Sequence, residues 1–249
     1  MDFVWSQTSN GISTLVLNRG KVNALNCSVV DQLRSHLNRL EGDPEVRSII
    51  LTGFGKFFSF GFDIPEFLSF SKEQFVAYLE NFTNLYTYLF LYPKPVVAAL
   101  NGHAIAAGCM LALACDYRVM VTGKARISLN EIGFGSSVFA GSTEMLRFCV
   151  GSGNATTILY SGAMYTAEGA RSLGLVHEVT SEEDHMAAAR QAASDLASKH
   201  SPAFASIKSL LRKPSAAVML RRESDSITEF AEIWYSEVTW ANLQNIKIR

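Results

Sequence analysis

Cysteine is scarce and scattered: Cys27, Cys109, Cys115 and Cys149 include no pair at the two-residue spacing of a zinc or redox motif. Cys109 and Cys115 lie in an apolar run, where a thiol reads as a small buried hydrophobe. Such usage argues against a disulfide framework and points to a reducing compartment. The five histidines (His36, His103, His177, His185, His200) form no ligand pair at helical spacing, so no metal site is expected. An excess of one charge is also missing, with 22 Lys+Arg against 23 Asp+Glu and a formal net charge of −1. That balance supplies no long-range field to draw nucleic acid or an anionic membrane, so an anionic ligand must be held by local groups.

Long apolar runs are absent: the longest, from Ala104 to Cys115, is too short to span a bilayer and ends at Asp116. The first residues, MDFVWSQTSNGI, have the build of neither a signal peptide nor an arginine-rich transit peptide, and the closing NIKIR is no peroxisomal address. The expectation is a cytoplasmic protein with no membrane partner. Gly151-Ser152-Gly153 completes neither a dinucleotide nor a Walker loop, and no G-x-S-x-G elbow or H-E-x-x-H pair occurs.

What is present is apolar material, 48% of 249 residues, enough for one large domain or one domain with an appendage. Residues 3–7 and 12–17 read as strands around an Asn10-Gly11 hairpin turn. A helix follows over 28–40, with Val29, Val30, Leu33, Leu37 and Leu40 on one face and Gly42 beyond its end. A β-branched buried strand is expected at 46–52, and a long helix from Ser71 to about Tyr92, stopped by Pro93 and Pro95. Then come a strand at 96–100, an Asn101-Gly102 turn, a helical segment at 108–114 and a strand at 117–121. Helices are predicted at 142–150, 154–161 and 167–173, and a strand at 176–179. From Ser181 onward the pattern is helical only (181–200, 202–211, 215–241), with Ser181 and Asp184 spaced as a capping box. Strands with crossover helices followed by helices alone imply an α/β core over 1–200 and a helical C-terminal region over 201–249.

Three stretches have the makings of a site. Phe57-Phe58-Ser59-Phe60-Gly61-Phe62-Asp63-Ile64 reads either as an aromatic turn capped by Asp63 or as a sharp turn opening a helix whose N–H groups face a ligand. Asn101-Gly102-His103-Ala104-Ile105-Ala106-Ala107-Gly108-Cys109-Met110 offers small residues before a helix, suited to close packing or to close approach of a ligand. In Ser128-Leu129-Asn130-Glu131-Ile132-Gly133-Phe134-Gly135 a lone glutamate sits among apolar residues and glycines. It is a solvated loop acid or, if buried, a carboxyl with the raised pKa that suits proton transfer near neutrality.

In this order and spacing, together with Asn23-Ala24-Leu25-Asn26, Pro95-Val96-Val97-Ala98-Ala99-Leu100-Asn101-Gly102 and Thr166-Ala167-Glu168-Gly169-Ala170 leading to Leu173-Gly174-Leu175-Val176, the stretches resemble the crotonase (enoyl-CoA hydratase/isomerase) superfamily over about residues 3–212. The resemblance implies a spiral of ββα units, a helical C-terminal trimerisation region and a homotrimer or dimer of trimers. It implies an acyl-CoA thioester substrate, coenzyme A being part of that substrate and no separate cofactor being needed. By position, the backbone N–H groups of Phe62 and Ala107 would form an oxyanion hole, while Ala24, Phe60, Asp63 and Ile64 would line the CoA path and Glu131 would be the main acid/base.

Departures from the family pattern narrow the reaction. Family hydratases use two glutamates, one matching Glu131 and one in the helix after the second donor, where Met110 stands here. Positions near Met110 and Phe139 that carry further acids in other relatives are apolar. A single carboxylate is similar to the Δ3,Δ2-enoyl-CoA isomerases, some of which also read Leu-Asn-Glu at this site. Alanine replaces the usual glycine at Ala107, and Phe60 and Phe62 are bulkier than the common alanines. The alternatives are a hydratase, hydrolase or lyase of the same superfamily, or a non-catalytic acyl-CoA-binding or RNA-binding relative.

Overall fold

Asn10 and Gly11 both take positive φ (54° and 75°) and turn strand β1 (Val4–Ser9) into β2 (Ile12–Leu17), as the sequence predicts. This hairpin is the antiparallel edge of a sheet that is otherwise parallel. The computed structural model describes residues 2–246. Helix α1 (Cys27–Gly42) begins on Asn26, whose side chain accepts from the Val29 N–H, and buries the five apolar residues that its period predicted. It crosses to β3 (Ser48–Gly53), which pairs in parallel with β2 and with β5 (Val96–Leu100); β7 (Tyr117–Val121) and β9 (Glu178–Thr180) complete the order β1-β2-β3-β5-β7-β9. The last strand lies two residues beyond the start predicted for it.

The sequence reading overlooked a second sheet, made of β4 (Phe57–Ser59), β6 (His103–Ile105) and β8 (Ile127–Ser128). Strands of two or three residues carry no readable period. Each follows a strand of the large sheet, so the chain climbs as repeated ββα units. Asn101 ties the two sheets together instead of turning a hairpin: Gly53 N–H donates to its Oδ1 at 3.0 Å, and its Nδ2 donates to Gly55 O at 2.8 Å. Gly102 is obligatory here, because a Cβ would fall 2.0 Å from Lys56 O.

The stretch after Gly61 opens a short helix α2 (Ile64–Phe67) capped by Asp63, ahead of α3 (Lys72–Leu91). Ser71 and Gln74 form a capping box on α3, which ends just before Pro93. Beyond α4 (Ala107–Ala114), the two helices predicted on either side of Gly151 are one bent element, α5 (Ala140–Ser161), with Gly151 at φ 75° in the bend. Helix α6 (Ala167–Leu173) follows, and α7 (His185–Ala197) starts later than predicted. The Ser181 hydroxyl accepts from the Asp184 N–H at 3.1 Å, so these two residues build the entry to α7 and not its first turn. Ala189 and Ala193 of α7 pack on the Ile12, Ile50, Val97, Ala99 and Val119 face of the large sheet.

The sequence breaks the final helices at Pro214, but α8 (Ser201–Trp234) runs through it. Proline removes one backbone bond. The tertiary ties just before it offset that loss: Lys208 Nζ lies 2.7 Å from Asp116 Oδ2, and Arg212 donates to the carbonyls of Phe90, Ala114 and Cys115 at 2.8–3.0 Å. The chain then breaks at Tyr235 and Ser236, within the segment predicted as continuous, and α9 (Glu237–Gln244) folds back. Met219, Ile227, Phe230 and Trp234 of α8 enter the same core as the sheet and α3. No helix among the described residues is long and apolar enough to cross a membrane.

Candidate active site

The cavity is built from two loops and a turn at the C-terminal side of the short strands. After β4, Gly61 takes φ 94° and lets the chain run beside Leu25 as an isolated parallel bridge. That bridge uses Leu25 N–H to Gly61 O (2.8 Å) and Asp63 N–H to Leu25 O (3.0 Å). In a parallel pairing of this kind the N–H of the intervening residue, Phe62, points away from Leu25, and Phe62 itself lines the cavity. After β6, Ala106 takes φ 51° and ψ −119°, a conformation that side-chain-bearing residues rarely adopt. Its strain delivers Ala107 as the first residue of α4, where an N–H has no partner within the helix. The two loops touch: a Cβ on Gly61 would lie 3.0 Å from Ile105 O and 3.3 Å from Ala107 N.

The turn supplies the acid. Glu131 opens a one-turn 3-10 helix, Glu131–Phe134, directly after β8, and Gly135 closes it in the left-handed conformation. Its side chain is 4% exposed, and Oε2 has no hydrogen-bond partner among the described residues. Burial pushes the carboxyl up to about 8, against a smaller opposing pull from a backbone hydrogen bond. Together these elements enclose about 370 Å³, with Glu131 the one ionisable side chain in the wall among the described residues. Met110, 1% exposed, occupies the wall on the α4 side. Phe134, Phe139, Phe230 and Trp234 make the rest largely aromatic.

Of the residues predicted from the sequence, Glu131, Phe62, Ala107, Phe60 and Ile64 line this one cavity. Ala24 and Asp63 do not; they border a separate depression with Arg19 and Lys21. Asp63 is engaged structurally: its Oδ1 caps α2 by accepting from Glu66 N–H at 3.2 Å, and its Oδ2 pairs with Arg19 at 2.5 Å. The capping reading of that stretch therefore holds for Asp63, while Phe60, Phe62 and Ile64 line the cavity. His103 stacks on Phe57, with centroids 5.1 Å apart, outside the cavity. Among the described residues no group of three or more His, Cys, Asp or Glu is placed to hold a metal ion.

Sequence reasoning passed over Ala106, whose positive φ no pattern announces, and over Phe230 and Trp234, which reach the cavity from a helix about a hundred residues downstream.

Two loops and a turn thus meet at one largely apolar cavity that holds a single buried carboxyl among the described residues. The sequence profile of the enoyl-CoA hydratase/isomerase family matches residues 7–233, and the chain belongs to this family. It is 35% identical over 191 residues to the mitochondrial enoyl-CoA hydratase of Pongo abelii, a match covering 76% of this chain and 65% of that protein. The chain thus spans just under two thirds of that relative's length. It is 37% identical over 202 residues to the 2,3-dehydroadipyl-CoA hydratase of Escherichia coli (strain K12), covering 80% and 77%. Among solved structures, human mitochondrial Δ3-Δ2-enoyl-CoA isomerase superposes with a TM-score of 0.92 at 25% identity, covering 98% of this chain and 96% of that one.

Proposed function

We propose that the protein moves the double bond of 3-enoyl-CoA thioesters to the 2-position, with Glu131 as sole proton shuttle. The observation that carries this reading is the lone buried carboxyl facing a cavity whose α4 wall holds Met110. The thioester oxygen accepts from the N–H groups of Phe62 and Ala107. Ionised Glu131 takes a proton from C2, electrons shift onto that oxygen as a dienolate, and Glu131 returns the proton at C4. The double bond then lies between C2 and C3, with no net gain or loss of atoms.

Each aimed donor contributes roughly 2.7–4 kcal/mol to holding the dienolate. A carboxyl pushed up to about 8 is a stronger base than an exposed one, and its acid form remains a competent donor for the second transfer. The aromatic walls keep water from the dienolate, and among the described residues the cavity wall holds no second ionisable side chain to activate one. Coenzyme A is part of the substrate, so the reaction needs no further cofactor. The reading also includes self-association through α8, where Ile207, Leu210 and Leu211 are 59–75% exposed; light scattering at the mass of a monomer would refute that part.

The hydratase names of the relatives favour a second reading, addition of water to a 2-enoyl-CoA. The two readings separate by mass, which isomerisation leaves unchanged and hydration raises by one water. The decisive assay follows the conjugated product from a 3-enoyl-CoA in wild type and Glu131→Gln. Turnover in the first that is lost in the second is the expected outcome; no product at any chain length overturns the isomerase reading.

A further inference from the structure

A one-turn 3-10 helix does not hold itself in place, because few internal bonds fix it and it forms only at the expense of backbone entropy. The turn that carries Glu131 has inward bonds from Gly133 N–H to Asn130 O (2.9 Å), Gly135 N–H to Ile132 O (3.2 Å) and Ser136 N–H to Glu131 O (3.0 Å). Its last two carbonyls point elsewhere, toward α9. There the Thr239 hydroxyl donates to Gly135 O at 2.6 Å and Asn242 Nδ2 donates to Phe134 O at 3.2 Å. Three residues apart, these side chains share one face of α9. Thr239 is 2% exposed, and the approach is close enough that a Cβ on Gly135 would lie 3.3 Å from its hydroxyl. Ser236 Oγ sits 3.2 Å from the Thr239 hydroxyl but donates its single proton to Ile233 O at 2.7 Å, so the threonyl proton is directed by its own short contact to Gly135 O.

We propose that Thr239 is a positioning residue for Glu131, locking the turn that carries it by donating to the Gly135 carbonyl. The inference rests on Glu131 acting as the proton shuttle and adds a residue that touches no substrate. Without the hydroxyl, the Gly135 carbonyl loses its donor from α9 and, Gly135 itself being exposed, is taken over by water or drawn toward another donor by a swing of the turn. Either response moves the carboxylate off the C2–C4 path, and displacements of about 1 Å lower rates by up to roughly a hundredfold. Water reaching the carboxyl also brings its pKa down from about 8, because burial is what raised it.

The test compares Thr239→Val, which keeps the shape, with Thr239→Ser, which keeps the hydroxyl. Two readouts are taken on the full chain: kcat and KM across pH with a 3-enoyl-CoA, and a 13C NMR titration of the Glu131 carboxyl assigned with Glu131→Gln. Expected for Thr239→Val are a fall in kcat of roughly tenfold to a hundredfold, KM within about twofold and a Glu131 midpoint moved to lower pH. Thr239→Ser should sit near wild type in all three. Wild-type kcat with an unmoved midpoint in Thr239→Val overturns the proposal and leaves the role of Glu131 standing. If wild type fails to turn over a 3-enoyl-CoA, the isomerase reading has failed and the titration alone decides: a lowered midpoint supports the lock and an unchanged one overturns it. Should Thr239→Val not fold, Asn242→Ala replaces it, with a smaller fall in kcat and a smaller shift in the same direction as support and neither as refutation.

Discussion

Gly61 and Ala106 hold equivalent places in two loops, each just before a residue that lines the cavity and is proposed as an N–H donor, and both stand at positive φ, 94° and 51°. Gly61 reaches that conformation without steric penalty. Ala106 reaches it against its own Cβ, a strain of order 1–3 kcal/mol that the surrounding bonds must hold. Those bonds are visible: Ala106 N–H donates to Ser128 O at 2.8 Å, and Ala106 O accepts from Met110 N–H at 3.0 Å. One proposed donor is therefore positioned by a permissive residue and the other by a constrained one. The first loop depends on what it lacks, a side chain, and the second on the strand and helix that clamp it.

The strongest break in this symmetry is a side chain on the permissive side. Gly61→Ala places a Cβ 3.0 Å from Ile105 O, 3.2 Å from Ala106 Cβ and 3.3 Å from Ala107 N, at a φ that alanine resists. Both donors are disturbed at once, so kcat on a 3-enoyl-CoA should fall by at least the roughly 10²–10³ that loss of one such donor brings. Steady-state kinetics on the purified variant checks this, and retention of more than a tenth of wild-type kcat would show that the loops do not set the rate. Adding Ala106→Gly removes the 3.2 Å contact but not those to Ile105 O and Ala107 N, so the double variant should recover part of the loss and not all of it.

Among the described residues neither loop puts an ionisable side chain into the cavity wall, so the pH dependence should belong to Glu131 alone. The base must be ionised, and kcat/KM should fall about tenfold per pH unit below a midpoint of about 8, with the same midpoint in Ala106→Gly. Stability should run the other way. The folded carboxyl holds its proton up to about 8 while the unfolded one releases it near 4.5, so between those values the native state binds more protons and loses stability as pH rises. Urea titrations at pH 5 and pH 8 should show that loss in wild type and a smaller one in Glu131→Gln.

The legible parts of this molecule are those in which a residue's neighbours in sequence are also its partners in space. The Asn10-Gly11 hairpin, the five-residue apolar face of α1 and the Ser71 cap of α3 are local arrangements and could be read directly. The three short strands could not, because they exist only by pairing across the spiral, with Phe57 opposite His103 and Ala104 opposite Ile127. The continuity of α8 through Pro214 was hidden for the same reason, since Lys208 and Arg212 are tied to Asp116 and to carbonyls about a hundred residues away. In the site, Glu131, Phe62 and Ala107 were found through motif resemblance, and no chemistry within their own segments distinguished Glu131 from a surface acid. Phe230 and Trp234 line the cavity it faces and Thr239 bonds the end of its turn, all about a hundred residues away in sequence.

The mildest change sharpens the comparison most finely. Ala106→Gly relieves the strained φ, of order 1–3 kcal/mol, while giving the unfolded chain freedom worth roughly 0.4–1 kcal/mol. The net expectation is a stabilisation of up to about 2.5 kcal/mol, visible as a higher urea midpoint with an unchanged slope. Because the Ser128 and Met110 bonds still fix both ends of the loop, Ala107 N–H should keep its aim and kcat should stay within about twofold of wild type. A drop in kcat alongside higher stability would mean that the strain itself holds the donor in place, so that the alanine loop is tensioned where the glycine loop is relaxed. A drop in both would mean that the Ala106 side chain packs against the cavity more tightly than its backbone is strained.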